Sequence, residues 1–345
     1  MLDVEGAVAA TGPDEGVAAH YGDPLREQRV MASGGALVDR SNRGVVMVSG
    51  PDRLAWLHSL TSQHLERLAP GTSTQALILS PQGHLEYHLA LTDDGTRTWI
   101  HVEPGTAPAL VAYLSSMRFM LRVEVADVSD RYGVASAAGG QPSPAAARVP
   151  RELGAAQVAD PFGIGIIEEL DLIAELPGKL GLPVAGLWAF EAARIAAGVP
   201  RPGTDSDHRT LPHELGLIEP AVHLNKGCYR GQETVARVHN LGHPPRRLVL
   251  LHLDGSVDRL PGHGTAITLD GTEVGFTGSA ALHYELGPVG LGLVKRTVPA
   301  GATLLADGIA AAQEVIVSPE AGGAVKVTLR RDSVPPPPAA ARRLM

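Results

Sequence analysis

From about residue 34 onward, apolar and polar positions fall into a regular pattern. Val45-Val46-Met47-Val48 is short and β-branched, which predicts a strand. Gly50-Pro51-Asp52 predicts a turn that opens a helix over 52–60, with Leu54, Leu57 and Leu60 on one face. Thr74 to Leu79 and Leu85 to Leu91 predict two further strands, separated by the turn residues Pro81-Gln82-Gly83-His84. Asp94-Gly95 predicts a hairpin into a strand over 98–102. A helix over 108–117 and a strand over 121–128 follow. Strand, helix, antiparallel strands, helix and strand in this order make an α+β layout.

Residues 137–150 are rich in Ala and Pro and predict a solvent-exposed insert or flexible loop. Strands are expected at 164–167 and 170–174. A helix over 185–197 then ends at Gly198 with Pro200 just beyond. After Arg246 the texture changes. Short strand-like runs at 248–253, 266–269, 273–279, 289–294 and 314–317 are divided by Gly, Pro and Asp, which predicts a small β-barrel. The plan is a loose N-terminus over 1–19, an α+β region over 20–242, a barrel over 246–328 and a disordered tail over 329–345.

Composition narrows the class. The chain has 345 residues, enough for about two domains and a core that needs no staples. Three Trp, six Tyr and four Phe leave the core mostly to Ala, Val and Leu. A net charge of −8 excludes a surface built wholly to grip nucleic acid. The single cysteine, Cys228, cannot form an internal disulfide or furnish a thiolate zinc site, and fits a reducing compartment. No apolar run approaches the roughly 20 residues of a membrane helix. The first 20 residues carry four acids and no Lys or Arg, unlike a secretory signal. These features read as a soluble cytoplasmic protein.

The richest stretch is Lys226-Gly227-Cys228-Tyr229-Arg230-Gly231-Gln232-Glu233. Glycines let the backbone bend and leave the sulfur unobstructed. Lys226 and Arg230, if near the thiol, favour its thiolate, which is both nucleophile and metal ligand. Gln232 and Glu233 open a short helix just after it, whose N-terminus also favours negative charge. The competing reading is a small buried hydrophobe, as free cysteines usually are. His84, Glu86 and His88 share one strand face, either an acid–base or metal constellation or a plain solvent face. Trp188, Phe190, Glu191 and Arg194 lie on one helix, either lining a flat-ligand pocket or forming core with a salt bridge. Asp205, Asp207, His208, His213 and Glu214 read as a solvated loop with Asx turns.

The eight residues 226–233 resemble the Lys-Gly-Cys-Tyr-x-Gly-Gln-Glu signature of the folate-binding YgfZ family, related to the glycine-cleavage T-protein, an aminomethyltransferase. His20-Tyr21-Gly22, Arg194-Ile195-Ala196-Ala197-Gly198 and Gly275-Phe276-Thr277-Gly278-Ser279 extend the resemblance over about 20–328. It implies folate-binding modules around a central channel followed by a barrel. Trp188, Phe190, Glu191, Arg194 and Glu86 become candidates to hold tetrahydrofolate. It also implies a role in iron–sulfur cluster assembly or repair, with carrier proteins and client enzymes as partners. Among such clients are radical-SAM enzymes that modify tRNA; direct nucleic-acid or membrane contact is not implied. Cys228 would contact a cluster shared with a partner, and Lys226 and Arg230 would offset its negative charge. Two departures stand out. A pterin-gripping Glu of the T-protein is replaced by Ala196, and its catalytic Asp aligns with Glu86. The alternative is therefore a tetrahydrofolate-dependent aminomethyl transferase with Glu86 as acid–base, and a third reading is a scaffold that has lost folate.

Overall fold

The computed structural model describes residues 1–140 and 143–323. Chain order begins with β1 (Val8–Ala9), β2 (Ala18–His20), α1 (Pro24–Gly34) and β3 (Ala36–Asp39). A second group follows: β4 (Gly44–Ser49), α2 (Arg53–Leu60), β5 (Ser73–Leu79), β6 (Leu85–Asp93), β7 (Arg97–Val102), α3 (Ala107–Ser116) and β8 (Glu124–Asp127). The chain then returns to the first group with β9 (Tyr132–Ala138), β10 (Ala156–Asp160), β11 (Gly163–Glu169), α4 (Leu170–Ile173), α5 (Leu176–Leu180), β12 (Val184–Ala185) and α6 (Leu187–Ala196). Beyond α7 (Ile218–Ala221) and α8 (Gln232–Leu241) come β13 (Arg246–Leu253), β14 (Ala266–Leu269), β15 (Thr272–His283), β16 (Gly287–Lys295), β17 (Leu304–Ala306) and β18 (Ile309–Val315).

Two five-stranded sheets result, ordered β10-β11-β9-β3-β12 and β5-β6-β7-β4-β8, and the last six strands close a barrel in the order β13-β16-β15-β14-β17-β18. The fold is α+β. Each sheet buries its own apolar face. Val46, Ile78, Leu89 and Ile100 pack under α2 and α3, and Val38, Ala138, Ala185 and Phe190 pack with α1 and α6. Closure matters for the barrel because it leaves no unpaired edge.

The structure differs from the sequence expectation in four places. The N-terminal 1–19 segment is anchored, not loose: β1 pairs with β2, Val17 and Ala19 are buried, and Asp14 accepts from Arg201 at 2.9 and 2.6 Å. That partner lies 187 residues away, beyond the reach of a local composition argument. Within 137–150, the described residues 137–140 and 143–150 are partly docked rather than a wholly solvent-exposed insert. β9 runs through Ala138, Ala145 is fully buried, and Val149 packs beside it. Small side chains here permit close packing: a Cβ on Gly35 would meet that of Ala145 at 2.5 Å. Residues 170–174 form helical turns, with Leu170 and Ile173 spaced to face the same core. Finally, 205–214 is no solvated loop. Asp205 and Glu214 are buried, each spent on arginine and backbone donors. Asp207 does form its Asx turn, accepting from Arg209 N at 3.0 Å, and it also holds Arg246. The 329–345 tail lies outside the described residues.

Candidate functional site

Lys226 is buried, and its ammonium is spent on backbone carbonyls. It donates to the carbonyls of His58, Thr61 (2.6 Å) and Gln63 (3.1 Å), at the C-terminal end of α2. A cation there meets the negative end of the helix dipole and caps unpaired carbonyls. Burial pulls its pKa down to about 8. Tyr229 is buried among Leu77, Leu79 and Val235, with the Lys226 ammonium 5.2 Å from its ring centre. Burial raises its phenol to about 12, so it stays neutral. Gln232 donates back to the Lys226 carbonyl at 3.3 Å. Gly231 takes the left-handed conformation, φ 82°, to start α8. Between the two buried anchors, Lys226 and Tyr229, residues 227 and 228 arch outward and Cys228 is exposed.

This settles the competing reading of the cysteine and overturns two expectations. Cys228 is no buried hydrophobe. Gly227 has no positive φ and open space around its Cβ direction, so only Gly231 supplies the bend. The motif cations are already engaged: Lys226 with carbonyls, and Arg230 with Glu86 at 3.1 and 3.2 Å, over the Tyr113 ring at 5.8 Å. The arch is therefore a mount for the thiol rather than a charge cage. Glu233 is exposed at the first turn of α8.

A separate cavity of about 440 Å³ opens where both sheets and the far end of the barrel sheet meet. Its polar wall is a lattice of arginines and carboxylates. Arg43 donates to His101 Nδ1 (2.9 Å) and Glu103 (2.8 Å), and Arg201 donates to Glu103 (2.6 Å). Arg40 donates to Asp160 at 2.5 Å and lies 4.1 Å above the Phe190 ring. Arg194 holds Oε2 of Glu191 at 2.9 and 2.5 Å. Burial opposes ionisation of Glu103, but Arg43 and Arg201 outweigh it and hold the carboxyl at about 2. Burial lowers His88 to about 4 and, with Arg43, takes His101 well below its ordinary value. Both rings are neutral at pH 7, and the Arg43 donor leaves the His101 proton on Nε2.

The five folate candidates are not brought together. Phe190, Glu191 and Arg194 line this cavity. Trp188, 53% exposed, lines a neighbouring cavity of about 490 Å³ with Leu25, Leu260 and Leu282; Glu191 and Arg201 form the wall between the two. Glu86 borders a third cleft with Pro202 and Asp207. His84, Glu86 and His88 form no metal site: among the described residues no group of three or more His, Cys, Asp or Glu could hold an ion.

Comparison with known proteins places this geometry. No family model matches. A putative chloroplastic transferase of Arabidopsis thaliana is 26% identical over 337 residues, covering 86% of this chain and 73% of that one. The mitochondrial iron–sulfur cluster assembly factor IBA57 homolog of Mycosarcoma maydis is 29% identical over 229 residues, 61% of this chain and 55% of the relative. An aminomethyltransferase of Geobacillus kaustophilus is 26% identical over 310 residues. The crystal structure of glycine cleavage system aminomethyltransferase T from Bartonella henselae superposes with a TM-score of 0.74 over 90% of this chain and 93% of that one, at 20% identity. The chain has a T-protein-like fold and is related in sequence to proteins named as an iron–sulfur assembly factor homolog and as aminomethyltransferases.

In this T-protein-like frame, Ala196 borders yet another cavity, with Phe162, Ala193 and Tyr284, while Glu191 faces the central one. The sequence pattern does not single out Arg40, Arg43, His101, Glu103, Asp160 or Arg201. One signal for part of the set was present: Ala90 pairs with His101 across β6 and β7, so His88, two residues before Ala90, shares that sheet face. The buried histidines also set an acid response. Their pKa values are lower in the fold than the ordinary 6.5, so the unfolded chain binds more protons between pH 6.5 and about 4. Stability must then fall as pH drops through that window. The melting temperature should decline below pH 6.5, and His88→Gln should flatten the decline. A melting temperature unchanged down to pH 4.5 overturns this assignment.

Proposed function

We propose that the chain is a folate-binding, YgfZ-like factor for iron–sulfur cluster assembly or repair, in which the Cys228 thiolate contacts a cluster held jointly with a partner. The observation that carries this reading is the arch: Lys226 and Tyr229 are spent inward while Cys228 stands free on the surface. One thiol is too few for a cluster, which takes about four thiolate-type ligands, so the partner supplies the rest. The relative named as an iron–sulfur assembly factor supports the same role. Clients would include tRNA-modifying radical-SAM enzymes, and the lone thiol suits a reducing compartment, the cytoplasm. The test is rescue of iron–sulfur enzyme activity under oxidative stress, in a strain lacking the protein, by the intact chain. Failure of the intact chain to rescue overturns the role.

Tetrahydrofolate fits the central cavity. The space is within the usual range for small-ligand sites, roughly 300–1,000 Å³. Phe190 offers a ring, Glu191 Oε1 faces no donor from Arg194, and the arginines suit an anionic tail. When bound, folate would supply a one-carbon carrier or a docking signal; the chain's own residues bind and orient it. Calorimetric titration with tetrahydrofolate should give heat and a raised melting temperature, and Phe190→Leu should weaken both. No heat at high micromolar ligand favours the scaffold reading. The aminomethyltransferase alternative, supported by relatives of that name, needs Glu86 as a free base, but Glu86 is paired with Arg230. Tetrahydrofolate-dependent ammonia release lost in Glu86→Gln would favour that alternative.

A further inference from the structure

We propose that the tip 118–122, between α3 and β8, is a docking knob for the protein that carries or receives the iron–sulfur cluster. This deepens the function proposed above and rests on it. The tip reads Arg118-Phe119-Met120-Leu121-Arg122. Phe119 is 81% exposed, Met120 98% and Leu121 43%. Three adjacent large apolar side chains facing water are costly, and isolated surface apolar residues do not cluster in this way. The backbone adds to the cost: Phe119 has φ 47°, a region that bulky residues rarely adopt. Strain of this kind persists where the surroundings enforce it, and it gathers at functional sites.

The surroundings do enforce it. The Trp56 indole donates to the Met117 carbonyl at 3.0 Å, just before the tip. Just after it, Arg122 is clamped on Asp52 by its backbone N (2.9 Å) and its guanidinium (3.1 and 2.8 Å). Gly50 lies so close beneath that a Cβ there would be 2.1 Å from the Arg122 carbonyl oxygen. The apolar side chains are thus presented on a fixed mount, which lowers the ordering cost of docking.

Place and charge select the occupant. Tyr113, near the end of α3, lies under the Arg230 guanidinium, two residues from Cys228. Six residues at helical rise carry the chain only about 10 Å from Tyr113 to Phe119. A standard interface covers about 800 Å² on each partner, roughly 30 Å across. One partner face can therefore take the knob and meet Cys228 together. Arg118 makes no ion pair among the described residues, its guanidinium touching only the Val123 carbonyl at 3.5 Å. The complementary surface is an apolar recess with a carboxylate on its rim. An anionic membrane suits the tip less well, because the chain carries a net charge of −8 and three side chains alone make a weak anchor.

The experiment uses the full-length protein in a strain lacking it, with four variants in parallel: Phe119→Asp combined with Met120→Asp, Cys228→Ser, a photo-crosslinking amino acid at position 120, and the same amino acid at position 227. Asp tolerates positive φ better than Phe, so the double variant should keep its melting temperature. Its rescue of iron–sulfur enzyme activity should fall about tenfold or more, as loss of interface anchors does. The crosslinker at 120 should trap an iron–sulfur protein, and a second crosslinker at 227 should trap the same one. Full rescue by the double variant while Cys228→Ser fails overturns the knob and leaves the cluster role standing. Rescue by Cys228→Ser overturns the cluster role beneath it. Crosslinks at 120 only to proteins without a cluster, or sedimentation of the purified chain with phosphatidylglycerol vesicles that the double variant loses, also overturn the knob.

Discussion

Cys228→Ser should melt with the parent protein and fail to rescue an iron–sulfur-deficient strain. The side chain is exposed on its arch, and the motif's hydrogen bonds and packing belong to Lys226, Tyr229, Gly231 and Gln232. An exposed substitution away from such features changes stability by about 0.5 kcal/mol or less. The chemical change is large by comparison. A thiolate sulfur is a strong ligand for iron in a cluster, whereas a serine hydroxyl is not. Rescue should therefore drop to the level of the empty vector, most visibly under oxidative stress, while folate heat is retained. The cavity with Phe190 and Glu191 is built from other elements, which is why the two readouts should part. Full rescue by a stably folded Cys228→Ser chain would sink the cluster mechanism.

Gly231→Val should cause the largest stability loss in the motif. Its φ of 82° disfavours any side chain, by about 1–2 kcal/mol, and β-branching makes that worse. A Cβ there would also sit 2.6 Å from the Ser80 carbonyl oxygen and 2.9 Å from Gly83 Cα. Both are backbone atoms of the turn before β6, so neither can swing aside as a flexible side chain would. Together the strain and overlap should cost roughly 3–5 kcal/mol, a fall of about 10 °C in melting temperature. Gly227→Ala is the control. It meets nothing within 4 Å at an ordinary φ, so it should stay within about 0.5 kcal/mol. Equal losses at the two positions would show that the arch is not anchored as described.

Local pattern was enough to read most of the elements. The β-branched run at 45–48, the Asp94-Gly95 hairpin and the Gly/Pro-punctuated run after Arg246 all carry short-range signals, and they appear as β4, the β6–β7 hairpin and the barrel. β17 was not legible, because Leu304-Leu305-Ala306 is too short to show alternation. One failure was local, the short apolar run 170–174 that reads as a strand and forms helical turns; the others were long-range. Nothing local tells Asp14 that Arg201 will hold it, or that Lys226 will cap a helix ending at Leu60. The importance of 226–233 was legible from residue types, but its division of labour was not. Orientation decided that Lys226 and Tyr229 turn inward while Cys228 turns outward, and charge next to a cysteine in sequence proved to be charge spent elsewhere in space.

The ion-pair lattice around Arg201 has a thermodynamic consequence. Arg201 joins Asp14, Glu103 and Glu191, drawn from three separate stretches of chain, and each carboxylate already holds an arginine before any ligand arrives. A small molecule entering the central cavity meets a wall that is already ordered, so little conformational entropy remains to be lost on binding. Its stabilising effect on the fold should then follow mass action alone, about 2.7 kcal/mol at a hundredfold excess over Kd. The structural cost of the cavity falls on folding instead, where Arg201 must find three partners at once.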